Sequence, residues 1–207
     1  MAPDLKKLEK LRGERTLVII KPDGVLRKIV GEVISRFERK GIKIVGMKMV
    51  WSTEDLAGQH YDGSDSWLND TGNRAYNGII ERGETTTLTP KEIATEIRNK
   101  LMGYLTAGPV VVLVLEGPHV IEVVRRMRGS TSPLKADVGS LGFDYTLESY
   151  ELSDAGGWAI KNIIHASDAP ETAEREIAVW FTKEEVFSYE SPMDKLFFST
   201  DWFLKRG

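Results

Sequence analysis

The chain has no cysteine. Disulfides, thiolate metal sites and thiol nucleophiles are therefore excluded, and a reducing compartment suits it. Histidine is scarce, with three residues, so any histidine chemistry falls to His60, His119 or His165. No pair of them has zinc-ligand spacing. Neither sign of charge dominates: 28 Lys and Arg stand against 31 Asp and Glu, a net charge of −3. A dedicated nucleic-acid binder usually carries a strong basic excess, so nucleic acid is not expected as the primary partner. Long apolar runs are missing too. The longest, Val110 to Leu115, is far too short to span a bilayer. Met1 to Arg15 alternates charge with Leu and has no apolar stretch of the secretory type. The expectation is a cytoplasmic domain with no membrane partner. The chain also lacks G-x-x-x-x-G-K-[ST] and G-x-G-x-x-G, so any bound phosphate must be held by side chains.

What is present reads as a globular chain, 41% hydrophobic and 29% charged. Residues 1–14 suggest a short charged helix with Leu5, Leu8 and Leu11 on one face. Thr16 to Ile20 is a β-branched run that reads as a buried strand, broken by Lys21-Pro-Asp-Gly24. Val30 to Lys40 has Val30, Val33, Ile34 and Phe37 on one helical face, with Gly41 placed to end it. Ile42 to Trp51 alternates imperfectly, as a second strand. Ser52-Thr-Glu-Asp55 opens a short helix that ends near His60-Tyr61. Asp62 to Asn77, rich in Gly, Asp, Ser and Asn, reads as a loop. Thr89-Pro-Lys-Glu92 is a strong helix start, and Ile93, Ile97 and Leu101 give that helix its apolar stripe. Val110 to Leu115 predicts a third strand and His119 to Arg128 a helix. Gly129 to Gly157 is a long polar stretch. Ala159 to His165 predicts a fourth strand, and Pro170 to Phe181 a helix with Asp168 as its cap. Thr182 to Glu185 starts one more short helix. This order implies an α+β fold, a ferredoxin-like split βαβ with helices packed on a four-stranded antiparallel sheet. No linker divides it, so residues 1–207 read as a single domain.

The histidines differ in context. His60, at a helix end, reads as a polar surface side chain or a helix C-terminal cation. His119 sits at a first helical turn, exposed. His165 ends an apolar strand just before a helix N-terminus, where backbone N–H groups and the helix dipole attract phosphate. A neutral imidazole there is a competent nucleophile, although strand-end histidines are often structural. Lys21 directly follows a buried strand and either points into a cleft or is a solvated turn lysine. Arg125, Arg126 and Arg128 form a second cationic group, with a solvated helix end as the plainer reading. Asp62-x-Ser64-x-Ser66 lacks the Gly and Glu of a calcium loop.

Several segments together resemble the nucleoside diphosphate kinase family. They are Arg15-Thr-Leu-Val-Ile-Ile-Lys-Pro-Asp-Gly24, Gly31-Glu-Val-Ile-Ser-Arg-Phe-Glu38, Gly108-Pro-Val-Val111, Gly129-Ser-Thr-Ser-Pro133 and Asn162-Ile-Ile-His-Ala-Ser-Asp168. Ala173-Glu-Arg-Glu-Ile177 through Trp180-Phe181 completes the set. The motifs come in the family's order and cover most of residues 14–189. The resemblance implies transfer of the γ-phosphate of a nucleoside triphosphate to a nucleoside diphosphate, by a ping-pong route through phosphohistidine on His165. It implies that Lys21 and Tyr61 border the transferring phosphate. Arg125 and Thr131 hold the outer phosphates, and Asn162 binds a ribose hydroxyl. Ser167 and Glu176 orient the histidine, and Ile97 and Leu101 clamp the base. Mg2+ is carried by the nucleotide phosphates with no direct protein ligand. The family resemblance also implies a homo-oligomer, a tetramer or hexamer of dimers. A nucleotide-binding regulatory relative with impaired transfer is the alternative.

Two departures motivate that alternative. Gly142 stands where the family pattern has an arginine, and Lys135 and Lys161, then Arg74 and Arg82, are the expected substitutes. The segments at about 62–107 and 145–161 are longer than the family's, and a tail over 190–207 carries Phe197, Phe198, Trp202 and Phe203.

Overall fold

The computed structural model describes residues 4–199. Four strands form its sheet: β1 (Arg15–Ile20), β2 (Lys43–Trp51), β3 (Pro109–Glu116) and β4 (Ile164–Ala166). The helices are α1 (Leu5–Arg12), α2 (Pro22–Leu26), α3 (Val30–Arg39), α4 (Glu54–His60), α5 (Asp65–Glu81), α6 (Pro90–Thr106) and α7 (Val120–Arg128). They continue with α8 (Leu141–Tyr145), α9 (Tyr150–Gly156), α10 (Pro170–Trp180) and α11 (Pro192–Phe198). Trp202 and Phe203 of the tail lie outside the described residues.

The strand order is β2-β3-β1-β4, and every pairing is antiparallel. With α3 joining β1 to β2 and α7 between β3 and β4, this is the ferredoxin-like split βαβ. Both faces are covered, which is why β1 reads as unbroken apolar sequence rather than alternation. Val18 and Ile20 face one cluster, with Val33, Phe37, Val120 and Val124 from α3 and α7. Leu17 and Ile19 face the other, with Ala57, Tyr61, Leu105, Trp180 and Phe181. The imperfect alternation of β2 has a cause: its register against β3 shifts between Ile44 and Gly46, a β-bulge.

Asp62 to Asn77 is not a loop. Most of it lies in α5, capped by Ser64, whose Oγ accepts from Trp67 N–H at 3.3 Å. Gly, Asn and Asp are poor helix formers, but α5 lies against α6, and that packing outweighs propensity. The contact requires Gly72, because a Cβ there would fall 2.0 Å from the Pro90 carbonyl oxygen. Helix α6 starts at the Thr89–Glu92 capping box, as its sequence indicates.

The fourth strand is shorter than expected. Only Ile164 to Ala166 pair with β1, because Ile163 adopts φ 57° and breaks the extended path. The polar stretch 129–157 also holds local order, in α8, α9 and a 3-10 turn at Pro133–Lys135. Asp168 does not cap α10. Ala169 occupies that position without a side-chain bond, and Asp168 lies 3.8 Å from Arg125.

Candidate active site

Register places His165. It pairs with Ile19, while its neighbours Ile164 and Ala166 point into the cluster under α3 and α7. Alternation along the strand therefore turns His165 to the opposite face, toward α10 and α4. There its Nε2 meets Glu176 Oε2 at 2.9 Å. Glu176 is 3% exposed, and the Ser167 hydroxyl donates to the same Oε2 at 2.6 Å. Ser167 is itself held by β1: its N–H donates to Leu17 O at 3.1 Å, and its Oγ accepts from Leu17 N–H at 3.2 Å.

Burial by itself would raise the Glu176 pKa. The interactions with His165, by charge and by hydrogen bond, and the Ser167 hydroxyl outweigh it, and the carboxyl is pulled down to about 2. An ionised Glu176 accepts a hydrogen bond from Nε2–H, so the lone pair of the neutral His165 ring resides on Nδ1. Nδ1 has no hydrogen-bond partner among the described residues, and the side chain is 19% exposed. The result is an oriented imidazole with one nitrogen open to a reactant.

His60 is not on the surface. It is 2% exposed, its ring edge-on to His165 at 4.6 Å and to Tyr61 at 4.7 Å between centroids. Its Nδ1 accepts from Trp180 Nε1 at 3.3 Å. Burial, then the nearby His165, pushes its pKa well below the ordinary histidine range, so the ring is neutral. Helical spacing carried the signal: His60 falls three residues after Ala57, on the buried face of α4. Tyr61 is buried beside it, and burial raises its phenol pKa.

A second set of residues approaches from the N-terminal end of α2. Lys21 is buried, and its Nζ donates to Asn162 Oδ1 at 2.7 Å. Asn162 Nδ2 in turn donates to Thr131 O at 2.9 Å. Burial lowers the Lys21 pKa to about 8, against the opposing pull of Asp23 and with help from Arg128. Asp23 accepts a short hydrogen bond from the Tyr104 hydroxyl. The turn around Lys21 is tight. Lys21 N–H donates to the Ile163 carbonyl at 2.8 Å. A Cβ at Gly24 would lie 2.8 Å from Ile20 Cγ2 and 3.0 Å from that carbonyl oxygen. Gly24 thus permits the close approach, and Ile163 carries backbone strain of roughly 1–3 kcal/mol in a left-handed conformation.

Arg125 and Thr131 line a groove of about 770 Å³, together with Arg126, Arg128 and Lys135. Arg128 connects this groove to the Lys21 set, since its Nη2 donates to Thr131 Oγ1 at 3.2 Å. The cations expected to replace an arginine at Gly142 are mostly engaged elsewhere. Lys161 lies 4.1 Å over the Trp158 ring, Arg82 is held by Glu84 and Asp154, and Arg74 bonds the Asp70 carbonyl. Only Lys135 of the four lines the groove. Ile97 and Leu101 lie one turn apart on α6. Leu101 packs on the cluster that contains Tyr61, while Ile97 is half-buried outside it. Arg98, between them, donates to the Tyr61 and Gly58 carbonyls and so ties α6 to the wall of the site.

Known proteins match this arrangement closely. The nucleoside diphosphate kinase family model matches residues 14–70 and 79–186. The unmatched interval between them lies within α5. Nucleoside diphosphate kinase from Pyrobaculum aerophilum is 44% identical over 178 residues, spanning 84% of this chain and 97% of that protein. The Pyrococcus horikoshii enzyme is 44% identical over 199 residues, spanning 94% of this chain and 97% of that one. The crystal structure of the Pyrobaculum NDP kinase superposes with a TM-score of 0.82 at 40% identity, over 85% of this chain and all of that one. A Borrelia burgdorferi nucleoside-diphosphate kinase, described as a transition state mimic with bound vanadate and ADP, gives a TM-score of 0.72 at 34% identity. It covers 89% of this chain and 96% of its own. With its sheet order, its strand-end histidine and these relatives in agreement, the chain belongs to the nucleoside diphosphate kinase family.

Proposed function

We propose that this chain moves the γ-phosphoryl group of a nucleoside triphosphate to a nucleoside diphosphate through His165. The observation that carries the reading is the Glu176–His165 pair, which fixes the ring and leaves Nδ1 as the open nucleophile. In the first half-reaction the Nδ1 lone pair attacks the γ-phosphorus. The P–N bond forms as the bond to the β,γ-bridging oxygen breaks, and a nucleoside diphosphate leaves. A second diphosphate reverses the step. Because donor and acceptor visit in turn, one nucleotide site serves both. Phosphoryl transfer asks little of a protein beyond positioning and charge stabilisation.

The other residues supply that charge and positioning. The Lys21 ammonium has three donors, and Asn162 takes one, which leaves two for phosphate oxygens. Arg125 and Thr131 hold the outer phosphates, Tyr61 borders the transferring group, Asn162 reaches a ribose hydroxyl, and Ile97 and Leu101 offer apolar contact to the base. Among the described residues, the acid and histidine cluster compact enough for a metal is His60, His165 and Glu176. Two imidazoles suit Mg2+ poorly, since that ion prefers oxygen ligands, and Glu176 Oε2 is already occupied. We therefore place Mg2+ on the nucleotide phosphates, where it neutralises charge when bound.

The edge strand β2 exposes Met47, Met49 and Trp51. An apolar sheet edge invites pairing, and this supports a homo-oligomer, a tetramer or hexamer of dimers. Met49→Lys should reduce the mass measured by light scattering toward that of the 23.2 kDa chain, and an unchanged mass would argue for another interface. Among the described residues no helix is long and apolar enough to cross a membrane. We place the protein in the cytoplasm, as the nucleotide reading favours; a chain without cysteine is indifferent to the redox state of its compartment.

Incubation with labelled ATP and Mg2+ tests the reading. The protein should acquire acid-labile label that added diphosphate discharges, and His165→Ala should acquire none. Glu176→Ala should retain transfer at a rate about 10–100-fold lower, by analogy with the partners that orient metal-binding histidines. Full activity in His165→Ala, or a loss in Glu176→Ala as complete as that of the nucleophile, would sink these assignments.

The Lys21 pKa sets a pH dependence. Below about 8 the ammonium is already formed in the free protein. Above it, phosphate binding must take up a proton, so diphosphate affinity should fall by up to about tenfold per pH unit. Calorimetric titration at pH 7, 8 and 9 would read this directly, and a flat affinity across the range would contradict it.

A further inference from the structure

We propose that Arg128 is a phosphate-binding residue of this site and acts with Thr131 on the outer phosphates of the nucleotide. The inference rests on the nucleotide reading above and extends it to a residue outside the set that the family resemblance implies.

Three observations converge on Arg128. The first is position. Arg128 is the last residue of α7, with Nε donating to Gly129 O at 3.1 Å and Nη2 to Thr131 Oγ1 at 3.2 Å. Through Thr131 and Asn162 it belongs to the same hydrogen-bonded chain as Lys21. The second is charge. Arg128 is half-buried, yet among the described residues no carboxylate oxygen lies within 4.0 Å of it. Its neighbours are matched: Arg125 by Asp168 at 3.8 Å and Arg126 by Glu122 at 3.9 Å. A cation withdrawn from water without a counter-ion is costly, and an arriving anion relieves that cost. Burial and then Arg125 disfavour its charge, while Tyr150 and Asp168 favour it. Lys21 feels the positive field of Arg128 in turn.

The third is space. Arg128 lines the groove of about 770 Å³ beside Arg125, Thr131 and Lys135. Gly142 is buried against this corner, where a Cβ would stand 3.1 Å from the Arg128 carbonyl oxygen and 3.6 Å from that of Ser130. No side chain from Gly142 supplies a donor there. A planar guanidinium with five N–H donors suits phosphate oxygens, and two bonds inside the protein leave the rest of the fork available.

The experiment compares the full-length wild type with Arg128→Leu and Arg128→Lys. Each is titrated with ADP and with adenosine, and each is assayed for KM and kcat with a nucleoside diphosphate acceptor. Charge-assisted hydrogen bonds of this kind are worth about a ten- to hundredfold change in affinity. Arg128→Leu should therefore weaken ADP and raise the diphosphate KM by about that factor, while adenosine binding stays as in wild type. Arg128→Lys should recover part of the ADP affinity. Equal ADP affinity and KM in wild type and Arg128→Leu would overturn the proposal, as would an equal loss for adenosine, which marks a collapsed site. Should Arg128→Leu not fold, Arg128→Lys decides: ADP binding equal to wild type would overturn the proposal, and selective weakening would support it. Failure of the wider reading looks different, because the wild type itself would then carry no label on His165. ADP binding needs no nucleophile, so the titrations judge Arg128 in either case.

Discussion

Glu176 is a carboxylate removed from water, and such a group is tolerable only when its oxygens are occupied by donors or cations. One oxygen receives His165 and Ser167 together. The other lies 3.6 Å from Arg175 and 3.9 Å from His60. Those partners come from β4, the segment that follows it, α10 and α4, so satisfying one charge fixes how these elements meet. Ser167 transmits the constraint into β1 through Leu17, and Arg175 transmits it to the end of α4 through the Gln59 and His60 carbonyls. The uncharged His60 ring fills the remaining space.

Positive charge gathers at Lys21 and Arg128 with few counter-ions of its own. Lys21 is anchored by an amide, not a carboxylate, and Arg128 by a hydroxyl and a carbonyl. The backbone that holds Lys21 includes Ile163, a β-branched residue in a left-handed conformation. Strain and unmatched charge are both unfavourable in themselves. A site that binds polyphosphate puts the charge to use, because preorganised cations stabilise a transferring phosphoryl group without having to reorient.

Much of the fold was legible in the sequence. The β1 run, the Thr89–Glu92 capping box and the stripe of α3 obey local rules, and local rules suffice for them. His165, Lys21 and Glu176 were legible through motif resemblance, although their mutual distances were not. What stayed hidden depends on tertiary contacts. Helix α5 has the composition of a loop and is helical because Gly72 lets it lie on Pro90. The fourth strand reads as longer in sequence because Ala159, Ile160 and Ile163 lead into it as apolar residues, while Ile163 turns the chain. A histidine at a helix end has a good local explanation on the surface, and only the packing of α4 buries His60. In sequence Arg128 forms one cationic group with Arg125 and Arg126, and only the positions of their carboxylate partners separate them.

Because Glu176 holds Nε2 of His165, a phosphoryl group carried by this protein belongs on Nδ1. Correlated phosphorus and nitrogen NMR on phosphorylated protein with ¹⁵N-labelled histidine identifies the nitrogen that bears the phosphorus. Coupling of phosphorus to Nδ1 of His165, with Nε2 still protonated, is the predicted result. Coupling to Nε2, or to His60 or His119, would contradict the account.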